Sequence, residues 1–222
     1  MNEPGHSTRT RTILSNAAVL AAIMLIAAAP RVALASTATY RIDPGHSNVG
    51  FRVSHLVFSK VSGRFNKFEG TIVFDPAAPA GGSVSVTIDA ASIDTNEPAR
   101  DKHLRSDAFF DVETHPAITF QSTRVGKTGD KGLRVEGTLT IRGTSKPVTL
   151  EVEILGVGPD GYGGYRAGFE GRARINRHDF GVSWNDLVEG GGLMVGNEVE
   201  LILGVEAIRE KTPEAEAGME GR

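Results

Sequence analysis

An apolar/polar alternation of period two recurs along most of this chain and limits it to a β architecture. Leu133, Val135, Leu139 and Ile141 alternate with Arg134, Glu136, Thr138, Thr140 and Arg142. Val148, Leu150, Val152 and Ile154 alternate with Thr149, Glu151 and Glu153. The pattern returns in Val84–Asp89, in Tyr165–Ile175 and in Val199–Glu206. Successive side chains of a strand point to opposite faces, so each segment has one dry and one wet face. Weaker strands are expected at Thr39–Ile42, Asn48–Ser54, Gly63–Phe74 and Pro116–Val125. Turn residues fall between them at Asp75-Pro76, Gly81-Gly82, Gly129-Asp130, Gly143-Thr144 and Pro159-Asp160-Gly161. One helix is expected, capped by Asn96 and running over Ala99–Arg105 after Pro98. A short turn is expected around His55–Phe58.

Eight or so strands joined by hairpin-length connections predict an antiparallel up-and-down meander. A sandwich and a closed barrel both satisfy one-sided patterning. Long strands with one wet face favour the barrel, because closure removes the edge strands. The 27 glycines and the low aromatic content suit such a fold.

The first 35 residues read as an address. Arg9 and Arg11 precede the apolar run Ala17–Ala29, and Ala33-Leu34-Ala35 places small residues before Ser36. This is the pattern of a cleaved secretory signal, and the run is short of the roughly 20 residues a spanning helix needs. The expected division is a signal peptide over 1–35, a barrel over 36–209 and a disordered tail over 210–222. The location that follows is periplasmic or secreted, with no membrane span after cleavage.

The chain has no cysteine, which excludes a disulfide framework, a thiol nucleophile and cysteine-ligated iron–sulfur clusters. Its net charge is −3, and it lacks a dense Lys/Arg cluster, so nucleic acid is not an expected partner.

Several spaced blocks resemble the YceI-like family. They are Tyr40–Ser47 (YRIDPGHS) with Val49, Phe51, Val53 and His55, then Gly63-Arg64-Phe65 and Phe68-Glu69-Gly70. Ile93–Asn96, Arg100–Ser106 and Phe109-Phe110-Asp111 follow, with Pro116 and Phe120 behind them. Val135–Ile141 and Asn176–Gly181 complete the set, so the resemblance covers about residues 38–208. It implies an all-β, eight-stranded, extended lipocalin-like barrel with one short helix. It further implies a long apolar pore that binds polyisoprenoid chains or related amphiphiles.

The dry faces supply the candidate pore wall. They offer Phe51, Phe74, Val86, Ile88, Phe120, Leu139, Ile141, Leu150, Val152, Phe169, Leu201 and Leu203. Trp184, with Phe180 and Leu187, lies on a Gly-flanked stretch suited to covering one end. Patterning fits both a filled and a hollow barrel. The small residues Gly137, Ala167, Gly171 and Ala173 on dry faces point towards a hollow one. An apolar chain inside gains about 0.8 kcal/mol per buried CH₂ before ordering costs.

The polar group around Asp94, Asn96, Arg100, Asp101 and Arg105 has two readings. Arg100 and Arg105 could hold a ligand's polar head, or the group could cap and brace the helix, which the same spacing explains. His46, His55, His103, His115 and His178 lack metal-ligand spacing, and no metal or cofactor is expected beyond a bound isoprenoid lipid. Ser47, His46 and Asp43 form a triad on paper only, without a nucleophile elbow.

Three functions are therefore in view. The first is a binder or carrier of a long apolar lipid, a polyisoprenoid or isoprenoid quinone. The second is a lipocalin-like enzyme with two histidines converging in the pore. The third is a filled-barrel, stress-related interaction module. Homodimerisation through a strand or rim is compatible with all three.

Overall fold

A computed structural model of the protein describes residues 37–56, 58–186 and 194–211. The expected signal peptide, Leu187 and nearly all of the expected tail lie outside these residues. Eleven strand segments form one sheet: β1 (Ala38–Ile42), β2 (Asn48–His55), β3 (Ser59–Phe65), β4 (Phe68–Asp75), β5 (Ala78–Asp89), β6 (Ile93–Asp94), β7 (Ala117–Lys127), β8 (Gly132–Ile141), β9 (Thr144–Pro159), β10 (Tyr165–Asn176) and β11 (Val195–Arg209). Among the described residues one α-helix, α1, spans Pro98–Arg105. Among the described residues no helix is long and apolar enough to cross a membrane.

The register reduces the eleven segments to eight wall positions. β2 pairs with β11 over Val195–Gly204, and β1 pairs with the same strand over Ala207–Arg209. β1 and β2 therefore lie end to end. β3 and β4 lie end to end beside them, facing β2 and β1. β5 and β6 share the third position, facing β4 and β3. β7 to β11 fill one position each, and β11 returns to β1 to close an antiparallel barrel.

Local chemistry explains the breaks. Asp43 caps a 3₁₀ turn over Pro44–His46, accepting from the Gly45 amide at 3.0 Å, and this separates β1 from β2. The expected single strand over Gly63–Phe74 is split at Asn66-Lys67, whose amides bond the carbonyl and the hydroxyl of Ser92 instead of a neighbouring strand. Gly81-Gly82, expected as a turn, lies within β5. Gly81 there takes φ +86, and a side chain at Gly82 would strike the Val73 carbonyl oxygen at 2.7 Å. The β8–β9 turn is tight because Arg142 and Gly143 both take positive φ, 51° and 70°, which fits the right-handed twist of a hairpin. The helix cap is Glu97 rather than the expected Asn96, which takes φ 61°.

The wall alternates as the sequence demands. Leu133, Val135, Leu139 and Ile141 of β8 are buried, and Arg134 between them is exposed. Two glycines make room for rings: Phe51 lies over Gly63, its partner on β3, and a Cβ on Gly137 would meet the Phe120 ring at 2.5 Å. Such cross-strand pairing fixes register.

The two ends differ. Among the described residues one carries the β4–β5, β7–β8 and β9–β10 turns, with the start of β1 and the end of β11, and is called the turn end. The other, the helix end, is covered by α1 and by the chain after β10, where Phe109, Phe180 and Val182 are buried.

Candidate functional site

Inside the wall is a cavity of about 250 Å³. Apart from Ser83 and Arg177, every residue that lines it is apolar or glycine. The lining includes Phe51, Phe74, Val86, Ile88, Phe120, Leu139, Ile141, Leu150, Val152, Phe169, Leu201 and Leu203, which the alternation put on dry faces. The barrel is thus hollow. A cavity of about 150 Å³ with comparable lining stays dry and takes up benzene.

The small residues contribute less space than their size suggested. Gly171 lines the cavity, and a Cβ there would meet Leu203 only at ordinary contact distance, 3.4 Å. The space at Gly137 is already filled by Phe120. Ala167 is fully buried against the core, and Ala173 packs at its margin.

Trp184 is not on the cavity wall. It packs at the helix end against Phe109, with ring centroids 5.1 Å apart, and against His103 at 4.9 Å. Phe109 does line the cavity, so Trp184 stands one layer behind the wall.

Arg100 and Arg105 also lie off the wall. Arg100 donates to the Thr95 hydroxyl at 2.7 Å and to the Thr95 carbonyl at 2.8 Å. Arg105 donates to the carbonyls of Ile93 and Ala91 at 3.1 and 3.3 Å. Asp101, buried beside them, accepts from the Thr95 amide and hydroxyl. The group braces α1 against β6, the second of its two sequence readings. Guanidinium groups committed to backbone carbonyls leave few donors for a ligand head.

Alternation missed Arg177, which is only 6% exposed. Its donors reach the carbonyls of Val182 and Trp184 at 2.7 Å, Gly196 at 2.9 Å and Val195 at 3.3 Å. Burial pushes its pKa down, and no described carboxylate pairs with it. This carbonyl cage ties the segment after β10 to β11 and floors the cavity at the helix end. The Asn176–Gly181 block contained it, but a lone arginine in a polar run gives no sign of burial.

The polar cluster at Asp43 closes the barrel. Arg166 of β10 donates to Asp43 at 2.8 Å, to Asp160 at 3.0 Å and to Glu206. His46 bonds Asp43 at 2.9 Å, and this bond, followed by Arg166, holds the Asp43 carboxyl below the usual carboxylate range. The donor atoms of Asp43, His46 and Glu206 fall within 4.8 Å of one another. Arg166 already supplies the positive charge that a metal would bring. Ser47 bonds the backbone of Glu206 in both directions, at 3.1 and 2.9 Å, so the paper triad forms no relay. None of the five histidines lines the cavity.

The comparisons agree with this geometry. The YceI-like domain pattern matches residues 40–207. Protein YceI of Salmonella newport is 45% identical over 179 residues, which is 80% of this chain and 90% of that protein. Burkholderia cenocepacia BcnA superposes with a TM-score of 0.67 at 29% identity, over 75% of this chain and 99% of BcnA. A domain of Saccharophagus degradans described as polyisoprenoid binding and implicated in plant cell wall breakdown superposes with a TM-score of 0.56 at 17% identity, over 79% of this chain and all of that domain. At that identity the likeness speaks for the fold. Pattern, relatives and barrel together place this chain in the YceI-like family.

Proposed function

We propose that the chain is exported, loses residues 1–35, and serves in the periplasm or outside the cell as a binder or carrier of a long apolar lipid, a polyisoprenoid or an isoprenoid quinone. The observation that carries this reading is the apolar cavity running inside a closed barrel. The ligand named for the Saccharophagus degradans domain is consistent with it. A wall whose polar side chains are only Ser83 and the carbonyl-bound Arg177, and histidines that among the described residues all lie elsewhere, support binding over catalysis.

The cavity volume bounds the cargo. On the benzene scale it holds about ten carbons, so a longer chain must widen the barrel or emerge from it. Each methylene that is buried contributes about 0.8 kcal/mol, which favours such widening up to the cost of strand separation.

The test is mass spectrometry of the protein purified from a bacterial periplasm, under native conditions and after organic extraction. A mature N-terminus at Ser36 and a stoichiometric extractable prenyl or acyl lipid are the expected results. Retention in the cytoplasm with residues 1–35 intact defeats the export reading. A clean protein mass that takes up no added isoprenoid quinone defeats the carrier reading.

A further inference from the structure

The barrel wall is not equally sealed all round. β5 pairs with β7 only over Ser85–Asp89 and Ala117–Gln121. One further bond, from the Val84 amide to the Ser122 hydroxyl at 2.8 Å, ends the ladder with a side chain in place of a strand. Beyond it, Ala78 and Ser83 of β5 pair with β4 across a register shift that leaves residues 79–82 without register partners, and on β7 Ser122 and Arg124–Lys127 pair only with β8.

Sequence causes account for this stop. Pro79 has no amide to donate, and proline in sheets is confined to edges and bulges. Gly81 sits at φ +86, out of line with a regular strand. On β7 the register with β8 shifts between Ser122 and Arg124, and such a bulge re-aims a strand and ends pairing.

Both lips of the gap belong to the cavity wall. Pro79, Gly82, Ser83 and Val84 on one side and Val125 on the other all line it. Little stands in the way outside, since a Cβ at Gly81 or Gly126 would meet nothing within 4 Å. At the far end of the cavity, by contrast, Arg177 and its carbonyls seal the floor.

We propose that the unpaired seam between β5 and β7 at the turn end is the side portal through which the apolar ligand enters, tail first. This rests on the lipid-binding reading and says how that site is reached. The polar end of the ligand stays outside, because the cavity beyond Ser83 at the lip offers it no partner: the donors of Arg177 go to backbone carbonyls. At the rim it meets Lys127, which register places on the same strand face as Val125 and which has no ion pair among the described residues, and on the outer face Arg124, which pairs with Glu136 at 3.9 Å. The head group suited to this rim is therefore one rich in hydrogen-bond acceptors.

The absence of native cysteine permits a direct test. Ser83→Cys with Thr123→Cys places one thiol on each lip. Arg41→Cys with Ile208→Cys places a register pair across β1 and β11 as a control. Each pair is joined as a disulfide or, where the thiols lie too far apart, with bismaleimidoethane. Uptake of N-phenyl-1-naphthylamine by the delipidated full-length mature protein is followed by stopped-flow fluorescence. Joining the lips slows uptake roughly tenfold or more, as expected when a gating motion is blocked, and reducing the disulfide restores the rate. Joining the control pair leaves the rate unchanged.

Hydrogen exchange provides an independent readout. Half of the amides in residues 80–83 and 123–127 exchange fast in the empty protein and slow down on loading, while β8–β10 stay protected throughout. Undiminished uptake with the lips joined, or slow exchange of the lip amides in the empty protein, overturns the portal. Failure of the unmodified protein to bind the probe at all removes the lipid-binding reading as well.

Discussion

Where β11 meets β1 and β2, strand pairing reaches from Val195 to Arg209, interrupted by a register shift between Val195 and Val199 and by the step from β2 to β1 after Gly204, and is reinforced from outside. The Asp43 amide reaches the Glu206 carbonyl at 2.8 Å, Ser47 grips the same residue twice, and Arg166 gathers three carboxylates around the junction. Where β5 meets β7, pairing stops after Gln121 and a single serine hydroxyl finishes it. The first seam joins the two ends of the chain, the most expensive closure in loop entropy. The second joins near neighbours in sequence and can be left partly open. A barrel built to admit a ligand is best sealed where it would otherwise fall apart and loosened where the chain itself holds the strands together.

Matched substitutions test this contrast most strongly. At Gly50 on the closed seam a Cβ would meet the Ile202 carbonyl oxygen at 3.1 Å and the Asn48 side chain at 2.8 Å. Gly50→Val is expected to cost about 2–3 kcal/mol by crowding β11 away from β2. Gly126→Val on the open seam meets nothing and should stay within about 0.5 kcal/mol of the parent. Urea denaturation of both variants measures the difference, and equal losses would erase the contrast.

Filling the cavity separates binding from folding. Gly171→Leu projects into the space before Leu203 and should weaken binding of an apolar probe about tenfold, roughly the effect of losing two methylene contacts. Its melting temperature should not fall. Titration with N-phenyl-1-naphthylamine beside a thermal melt gives both numbers.

The two serines make a finer pair. Ser47→Ala removes two bonds from the closed seam and should cost about 1–2 kcal/mol without changing probe uptake. Ser122→Ala removes one bond from the open seam, should cost about 1 kcal/mol, and should speed uptake by lengthening the gap. Faster uptake in the first variant rather than the second would reverse the assignment of the two seams.

The latch also has a pH signature. The carboxyl of Asp43 is held down by His46 and then by Arg166. A depressed carboxyl contributes stability that is fully present above its unfolded pKa of about 4 and is lost as pH falls through the lowered value. Asp43→Asn should therefore be less stable than the parent near neutrality, by about 1 kcal/mol or less after solvent screening. That difference should shrink as pH falls below about 4. Thermal melts from pH 7 down to pH 3 follow it; a constant difference would show that the charge of Asp43 is not what closes the seam.

The smallest effect concerns the helix. Arg105→Gln should lower stability by about 1 kcal/mol through its lost carbonyl bonds and leave probe affinity within about twofold. A large loss of affinity would return Arg105 to the ligand.

The sequence by itself determined the strands, the facing of their side chains and the apolar character of the interior. These follow from period two, which is a local property: each residue's side is set by its neighbours along the chain. That is why Leu139, Leu150 and Leu203 could be assigned to the wall before any fold was known. Only the tertiary structure decided what depends on residues far apart. It placed Trp184 behind the wall, turned Arg100 and Arg105 into braces, and buried Arg177 in a carbonyl cage. A polar side chain's role is fixed by which distant carbonyl comes within reach, and no periodicity records that. The hollow was also a tertiary decision. Gly137 and Gly171 look alike in sequence, yet the space at one is filled by Phe120, while the other lines the cavity with neighbours only at ordinary contact distance. The difference lies in which side chain crosses from the neighbouring strand, and that is set by the register of the closed barrel.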